Sequence, residues 1–322
     1  MSDQPMIEIT LDGAPRTIEA GITGALLLQD AVKKDGVVAM RVNGEPWDLE
    51  RQVPAGAVVE PITLASEDGL NILRHSATHV MAQAVQEMFP DVNLGIGPFI
   101  TDGFYYDFGA IDAVTPEMLR EIEKRMKRIV KEGQRFVRRD ITEDQGREEL
   151  ADQPYKLELI TTKGAGAEGA SVEVGAGGLT MYDNVRRDGT VAWTDLCRGP
   201  HLPSTRLIGQ GFALTKSSSA YWKGDQSGDS LQRIYGTAWA TKDDLKAYQT
   251  RLAEAAKRDH RKLGAELDLY SFPEEIGPGL VVFHPKGAML RHQIEQYVVD
   301  RHQDYGFDFV HTPEISKGGL FH

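Results

Sequence analysis

Cysteine is almost missing: the 322 residues contain one, Cys197. A single thiol excludes an intrachain disulfide framework, a Cys-only zinc site and a CxxC redox pair. No stretch approaches 18 consecutive apolar residues, so the sequence offers no membrane span. The opening MSDQPMIEITLDG has neither a basic start nor an apolar core, so no secretory signal is expected. A reducing cytoplasm is the expected setting. Net positive charge is also lacking. Asp plus Glu is 48 against 36 for Lys plus Arg, a net −12, which argues against a nucleic-acid coat protein with a uniformly basic surface. Local basic patches stay open. No internal repeat is visible.

What is present is globular. The chain is 41% hydrophobic and 26% charged, which excludes global disorder. At roughly 150 residues per domain, its length suggests two domains with room for a small third.

Residues 1–64 read as a unit of their own. Met6 to Leu11 alternates in polarity, Asp12-Gly13 signals a hairpin, and a strand follows at Arg16–Glu19. A helix is expected over Gly24–Lys34, then strands at Val38–Val42 and Val53–Ile62, with Asn43-Gly44 as a turn between them. The β-β-α-β-β order is that of a β-grasp, or ubiquitin-like, module. Residues 65–242 form a larger α+β segment. Helices are expected at Asn71–Phe89, with Leu73, Ala77, Val80, Met81, Ala84 and Met88 inward, and from Pro116 to about Glu132. Strands are expected at Phe136–Arg138, Leu157–Ile160 and Thr190–Trp193. The Gly/Ala-rich stretch between 163 and 178 reads as a surface insertion. Residues 243–262 read as a charged linker helix. Residues 263–322 open a further unit, with a helix over Met289–Tyr305 and a strand at Phe307–Val310.

Two motifs carry chemistry. His75-Ser76-Ala77-Thr78-His79 puts two imidazoles one helical turn apart, on a face expected to point off the core stripe. Cys197-Arg198-Gly199-Pro200-His201, preceded by Asp195, is a turn that draws a thiol and an imidazole together. Three His and one Cys could ligate zinc. The same groups could instead orient a water, or take its proton, without metal. Either pair alone is more often a surface or packed-core pattern than a site. Together, in a chain with one thiol, they point to a site.

The runs HSATHVMAQAV, GFYYDF, TDLCRGPHLPST, AYWKGD and LQRIYGTAW, in this order across residues 70–240, resemble the second domain of bacterial threonyl-tRNA synthetases. The alanyl relatives' editing domain shares the HxxxH and CxxxH pair but not the longer set. Residues 1–64 resemble the TGS domain of the same family. Residues 263–322, with LDLYSF, PGLVVFHP and YGFDFVHTPEI, resemble the opening of a class II catalytic domain, with motif 1 ending at Pro313. The implied fold is therefore α+β and multidomain. It comprises a β-grasp TGS domain, an α+β editing domain at 65–242, a linker helix at 243–262, and an incomplete class II antiparallel-sheet domain.

The resemblance implies a two-step, ATP-dependent attachment of threonine to tRNA(Thr), and an editing site that hydrolyses mischarged Ser-tRNA(Thr). The matching editing residues are His75, His79, Lys156, Asp195, Cys197 and His201, and Tyr105, Tyr106 and Asp107 match a segment that lines the substrate cleft. The family's editing site works with ordered waters and no zinc, so no metal is expected here. Zinc on His75, His79, Cys197 and His201 is the alternative. The family's ATP, Mg and single catalytic zinc need motifs 2 and 3, and metal ligands that these residues do not supply. The chain therefore reads as an N-terminal fragment expected to keep only editing. Homodimerisation is implied for the full-length family, and neither membrane nor DNA is an expected partner.

Positive charge clusters despite the acidic total. Over 117–139, nine basic residues oppose four acidic ones. In the linker, Lys246, Arg251, Lys257, Arg258, Arg261 and Lys262 oppose Glu254 and Asp259. Lys124, Lys127, Arg128, Lys131, Lys257 and Arg258 are thus the candidate tRNA-phosphate contacts. A non-catalytic tRNA-binding or regulatory module, and a zinc-dependent trans-editing hydrolase of the alanyl type, are the competing readings.

Overall fold

A computed structural model describes residues 5–162, 174, 178–313, 315 and 319. It divides into two compact units, Met1–Tyr248 and Gln249–His322.

The first unit begins with a hairpin of β1 (Met6–Leu11) and β2 (Ala14–Glu19). Asp12 and Gly13 both take positive φ, as a two-residue turn matching strand twist requires. The expected helix at 24–34 is two short pieces, α1 (Gly24–Leu27) and α2 (Gln29–Lys34), broken at Leu28, whose side chain is buried. Strands β3 (Val37–Val42), β4 (Glu45–Trp47) and β5 (Val58–Thr63) complete a sheet of order β2-β1-β5-β3-β4, with β1 and β5 parallel. Residues 53–57, expected as strand, form the turn leading into β5. Ile9, Leu28, Met40, Val42, Val53 and Val59 fill the core between sheet and helices.

Helix α3 (Glu67–Met88) starts four residues before the expected Asn71, because the Ser66 hydroxyl accepts from Gly69 N–H at 3.1 Å and caps it. Every residue from Ile72 to Val85 is buried. The expectation that the histidine face points off the core is therefore corrected: α3 is a central helix, covered on all sides. Beyond it come β6 (Asn93–Leu94), β7 (Phe99–Ile100), β8 (Gly103–Gly109) and α4 (Pro116–Glu132). Thr115 caps the start of α4, accepting from Met118 N–H, and Gly133, at φ 68°, ends it.

Next are β9 (Arg135–Ile141), α5 (Glu143–Glu149) and α6 (Pro154–Thr162). The strand expected at Leu157–Ile160 is corrected to helix. Pro154 favours a helix start, and the buried pairs Tyr155/Leu159 and Lys156/Ile160 recur every four residues. The Gly/Ala-rich stretch lies outside the described residues except at Val174 and Gly178. Strands β10 (Leu179–Val185) and β11 (Val191–Leu196) join β9 in an antiparallel sheet of order β11-β10-β9. Strands β12 (Phe212–Tyr221) and β13 (Ser230–Ala238) form a second sheet, β12-β13-β8-β6, with β7 against β8. Leu73, Ala77, Val80 and Met81 of α3 share one core with Phe104 and Phe108 of β8, Met126 and Ile129 of α4, and Tyr182 and Trp193 of the β9–β11 sheet.

Helix α7 (Lys242–Lys257) spans the boundary between the units. The single linker helix expected over 243–262 is two, since Asp259 caps a separate α8 (His260–Glu266). The second unit adds the antiparallel pair β14 (Tyr270–Ser271) and β15 (Val282–Phe283), then α9 (Pro285–Asp304). Residues 307–310 are not a strand; among the described residues nothing pairs with them, and a strand exists only through its ladder.

Candidate functional site

Two elements meet at the site. Helix α3 supplies His75 and His79 one turn apart, and the end of β11 supplies Asp195 and, two residues on, Cys197. The chain then turns at Gly199, whose φ of 71° and position against the Tyr182 hydroxyl leave no room for a β-carbon, and returns His201. Cys197 Sγ lies 3.2 Å from His75 Nε2 and 3.4 Å from His201 Nε2. The His201 ring lies 4.3 Å from His75 and 4.1 Å from His79, centre to centre. One donor atom from each of the four residues falls within 4.8 Å of the others, and all four side chains are buried. The two motifs, 118 residues or more apart in sequence, are thus one cluster.

Four neighbours that the sequence reading did not single out fix its geometry. Ser76 Oγ is 3.2 Å from His201 Nδ1 and accepts from Leu202 N–H at 3.0 Å. Phe136 stacks on His201 at 4.9 Å. Asp48, from the loop after β4, accepts from His201 N–H at 2.9 Å and from the Tyr182 hydroxyl at 2.6 Å. Ser76 lies inside the HxxxH motif and so was within reach. Asp48, 153 residues from its partner, carries no local signal.

Burial dominates the electrostatics. It pushes His75 down to about 4, and His79 and His201 well below the usual imidazole range. The Lys156 ammonium adds to the lowering at His75 and His79. All three rings are neutral at pH 7, each with one N–H donor and one acceptor nitrogen; His201 spends both on Ser76 and Cys197. His79 Nδ1 is buried with no hydrogen-bond partner among the described residues.

Beside the cluster, α6 and β11 form a buried ion pair. Lys156 Nζ is 2.9 Å from Asp195 Oδ1, and both side chains are 0% exposed. Tyr106 donates its hydroxyl to Asp195 Oδ2 at 2.6 Å, and Leu196 N–H donates at 2.8 Å. Burial pushes the Asp195 carboxyl up, and Lys156 and Tyr106 oppose that by stabilising the charge. Lys156 is a buried cation and Asp195 its anchor.

The three expected cleft residues divide. Alternation along β8 sends Tyr106 toward Asp195, and Tyr105 and Asp107 to the other face. There Asp107 takes a bidentate bond from Arg233 at 2.7 and 2.8 Å, and the guanidinium lies 3.9 Å over the Tyr105 ring.

The candidate tRNA contacts divide as well. Lys124 pairs with Glu121 at 3.6 Å, Lys127 with Glu123 at 2.6 Å, Arg128 with Glu87 and Glu132, and Lys257 with Glu254 at 2.5 Å. Lys131 and Arg258 have no acidic group within ion-pair distance among the described residues. Asp243 and Asp244 also occupy the first turn of α7, so the linker's positive excess is smaller than the basic residues alone suggest.

Three neutral imidazoles and a thiol are zinc-type donors, and their spacing approaches that of a four-coordinate site. The orphaned His79 Nδ1 fits the same use.

The family profile described as "Threonyl and Alanyl tRNA synthetase second additional domain" matches residues 178–235, which include Asp195, Cys197 and His201. The chain is similar to the "Threonine--tRNA ligase" of Cutibacterium acnes (strain DSM 16379 / KPA171202), at 70% identity over 319 residues, covering 98% of this chain and 46% of that protein. It is similar to proteins of the same name from Pseudarthrobacter chlorophenolicus and Thermobifida fusca. Each is 57% identical over the full chain, of which 48% and 49% of the relative is matched. The chain spans about half the length of these relatives. Among the described residues no helix is long and apolar enough to cross a membrane.

Proposed function

We propose that this chain is part of a threonine--tRNA ligase, and that its His75/His79/Cys197/His201 cluster is the site that hydrolyses serine from mischarged tRNA(Thr). The observation that carries this reading is the buried four-residue cluster beside the Lys156–Asp195 pair. The profile match across β10–β13 and the extended identity to named ligases support it. Residues 1–64 are then the TGS domain, 65–242 the editing domain, 243–262 the linker and 263–322 the start of a class II catalytic domain. For the whole ligase, ATP, magnesium, threonine, a catalytic zinc, a cytoplasmic setting and a homodimer follow from the same reading.

The chemistry explains why such a site is needed. Serine lacks one methyl of threonine, a difference worth only about 1–3 kcal/mol in a binding pocket, and the smaller amino acid cannot be excluded sterically. A second, hydrolytic site removes the error. Water attacks the ester carbonyl carbon, the bond to the ribose oxygen breaks, and serine and a free ribose hydroxyl leave. Neutral His75 and His79 suit the holding of that water. With a pKa near 4, His75 is a weak base, better suited to orienting water than to keeping its proton. Lys156, held by Asp195, supplies positive charge for the developing oxyanion. Tyr105 and Asp107, on the far face of β8, then act at the outer wall of the cleft rather than at the reacting atoms.

The test is a comparison of Ser-tRNA(Thr) and Thr-tRNA(Thr). Serine is expected to be released faster, and H75A/H79A to slow release by at least about 100-fold. Equal release of the two amino acids would sink the reading. The donor set also supports a second reading in which zinc sits on the four residues; bound there, it would activate water as a Lewis acid. Stoichiometric zinc in the purified protein, with hydrolysis lost to a chelator, would favour that alternative. Hydrolysis that survives the chelator favours the metal-free site.

A further inference from the structure

We propose that the groove at the C-terminal end of α4 binds the phosphodiester backbone of tRNA; this rests on the reading above and names the surface that holds the substrate's body. The groove, of about 480 Å³, is lined by Lys131, Glu132, Arg186, Arg187, Asp188 and Arg206. Four cations face two carboxylates, and both carboxylates are engaged. Glu132 accepts from Gln134 at 2.7 Å, and Asp188 accepts from the Thr190 N–H and hydroxyl at 2.9 and 2.7 Å. Lys131, Arg186, Arg187 and Arg206 have no acidic group within ion-pair distance among the described residues. That separates them from Lys124, Lys127 and Arg128 on the same helix, each of which is paired with a glutamate.

The geometry suits a phosphate. A β-carbon placed on Gly133 would lie 3.1 Å from Arg206 Nε and 3.6 Å from Arg187 Nη2. Both guanidiniums therefore lie beside Gly133, near enough to each other for a single phosphate to accept from both. The end of α4 carries the negative pole of the helix dipole, which alone would repel an anion. Arg206 Nη2 donates to the Lys131 carbonyl at 3.2 Å and covers that pole. Arginines 186 and 187 sit on the exposed β10–β11 turn, where they can be changed without disturbing the core.

The experiment measures binding of tRNA(Thr) across a salt series for the parent chain, R186A/R187A and, as a control for lost charge alone, K33A/K34A on the exposed end of α2. The first double variant is expected to bind roughly tenfold more weakly at low salt, and to lose about two from the slope of log K against log salt. K33A/K34A is expected to match the parent, and an equal loss there would overturn the proposal. Unchanged affinity and slope in R186A/R187A overturn the proposal. A parallel arm follows hydrolysis of seryl-adenosine, which has no phosphodiester backbone, and R186A/R187A should cleave it at the parent rate. Loss of cleavage by the variant would also overturn the proposal, by showing that the substitution acts on the editing centre. If the parent cleaves neither seryl-adenosine nor Ser-tRNA(Thr), it is the hydrolase reading that fails, and the salt series still decides the groove.

Discussion

Burial, with no carboxylate partner on the rings among the described residues, sets the protonation of His75, His79 and His201, and this makes the site's acid response predictable. In the unfolded chain these imidazoles take up protons near pH 6.5. In the folded chain they do so only far lower, near 4 for His75. Between those values the unfolded state holds more protons, so stability is full above about pH 6.5 and falls as pH drops toward 4. The loss is up to about 1.4 kcal/mol per pH unit for each histidine fully in that window. Thermal melts from pH 8 to pH 4.5 should show Tm falling mainly below pH 6.5, and H75A/H79A should flatten the curve. A parent Tm that stays level to pH 5 would contradict neutral, buried rings. Above pH 6 hydrolysis itself should show no inflection from these histidines, since none of them titrates there in the folded protein.

At the scale of elements, the Lys156–Asp195 contact ties α6 to β11, and it is costly to break from one side only. Removing the lysine leaves a buried carboxylate with the Tyr106 and Leu196 donors but without this counter-ion, which costs about 3–5 kcal/mol. K156M should therefore lower stability by that order in chemical denaturation, and K156M/D195L should recover most of it while remaining inactive in deacylation. Recovery of activity along with stability would remove Lys156 from the chemistry. The same pair shows where the sequence is legible. The HxxxH and CxxxH motifs identify all four cluster residues, because spacing of four on a helix and a Gly-Pro turn are local signals. Helix α4 is equally clear, with Thr115-Pro116 at one end and Gly133 at the other. Helix α6 is not, since Leu157-Glu158-Leu159-Ile160 alternates like a strand, and only packing against β10 and β13 residues decides for a helix. Nor is the all-round burial of α3 legible, because its polar Ser76, Thr78 and Gln83 are satisfied by partners from other elements, or by its own backbone.

Across the whole first unit, the N-terminal sheet module does more than accompany the site. Asp48 follows β4 of that module, yet its carboxylate ends in the middle of the β9–β11 region, bonded to the His201 backbone and to Tyr182. Tyr182 in turn packs beneath Gly199, so one carboxylate from residues 1–64 sets the height of the Cys197–His201 turn. Asp48 touches none of the proposed reacting atoms and is a positioning residue. The expected signature is a fall in kcat for Ser-tRNA(Thr) hydrolysis with KM little changed, because Asp48 bonds to His201 and Tyr182 and to none of the residues that line the basic groove at the end of α4. A displacement of His201 by an ångström is enough for a loss of about 100-fold. D48A should show that loss. D48N, which keeps an oxygen to accept from His201 N–H, should recover part of it, and Y182F should fall between D48N and the parent. If D48A only lowers Tm and leaves kcat at the parent value below that Tm, Asp48 holds the two modules together without shaping the site.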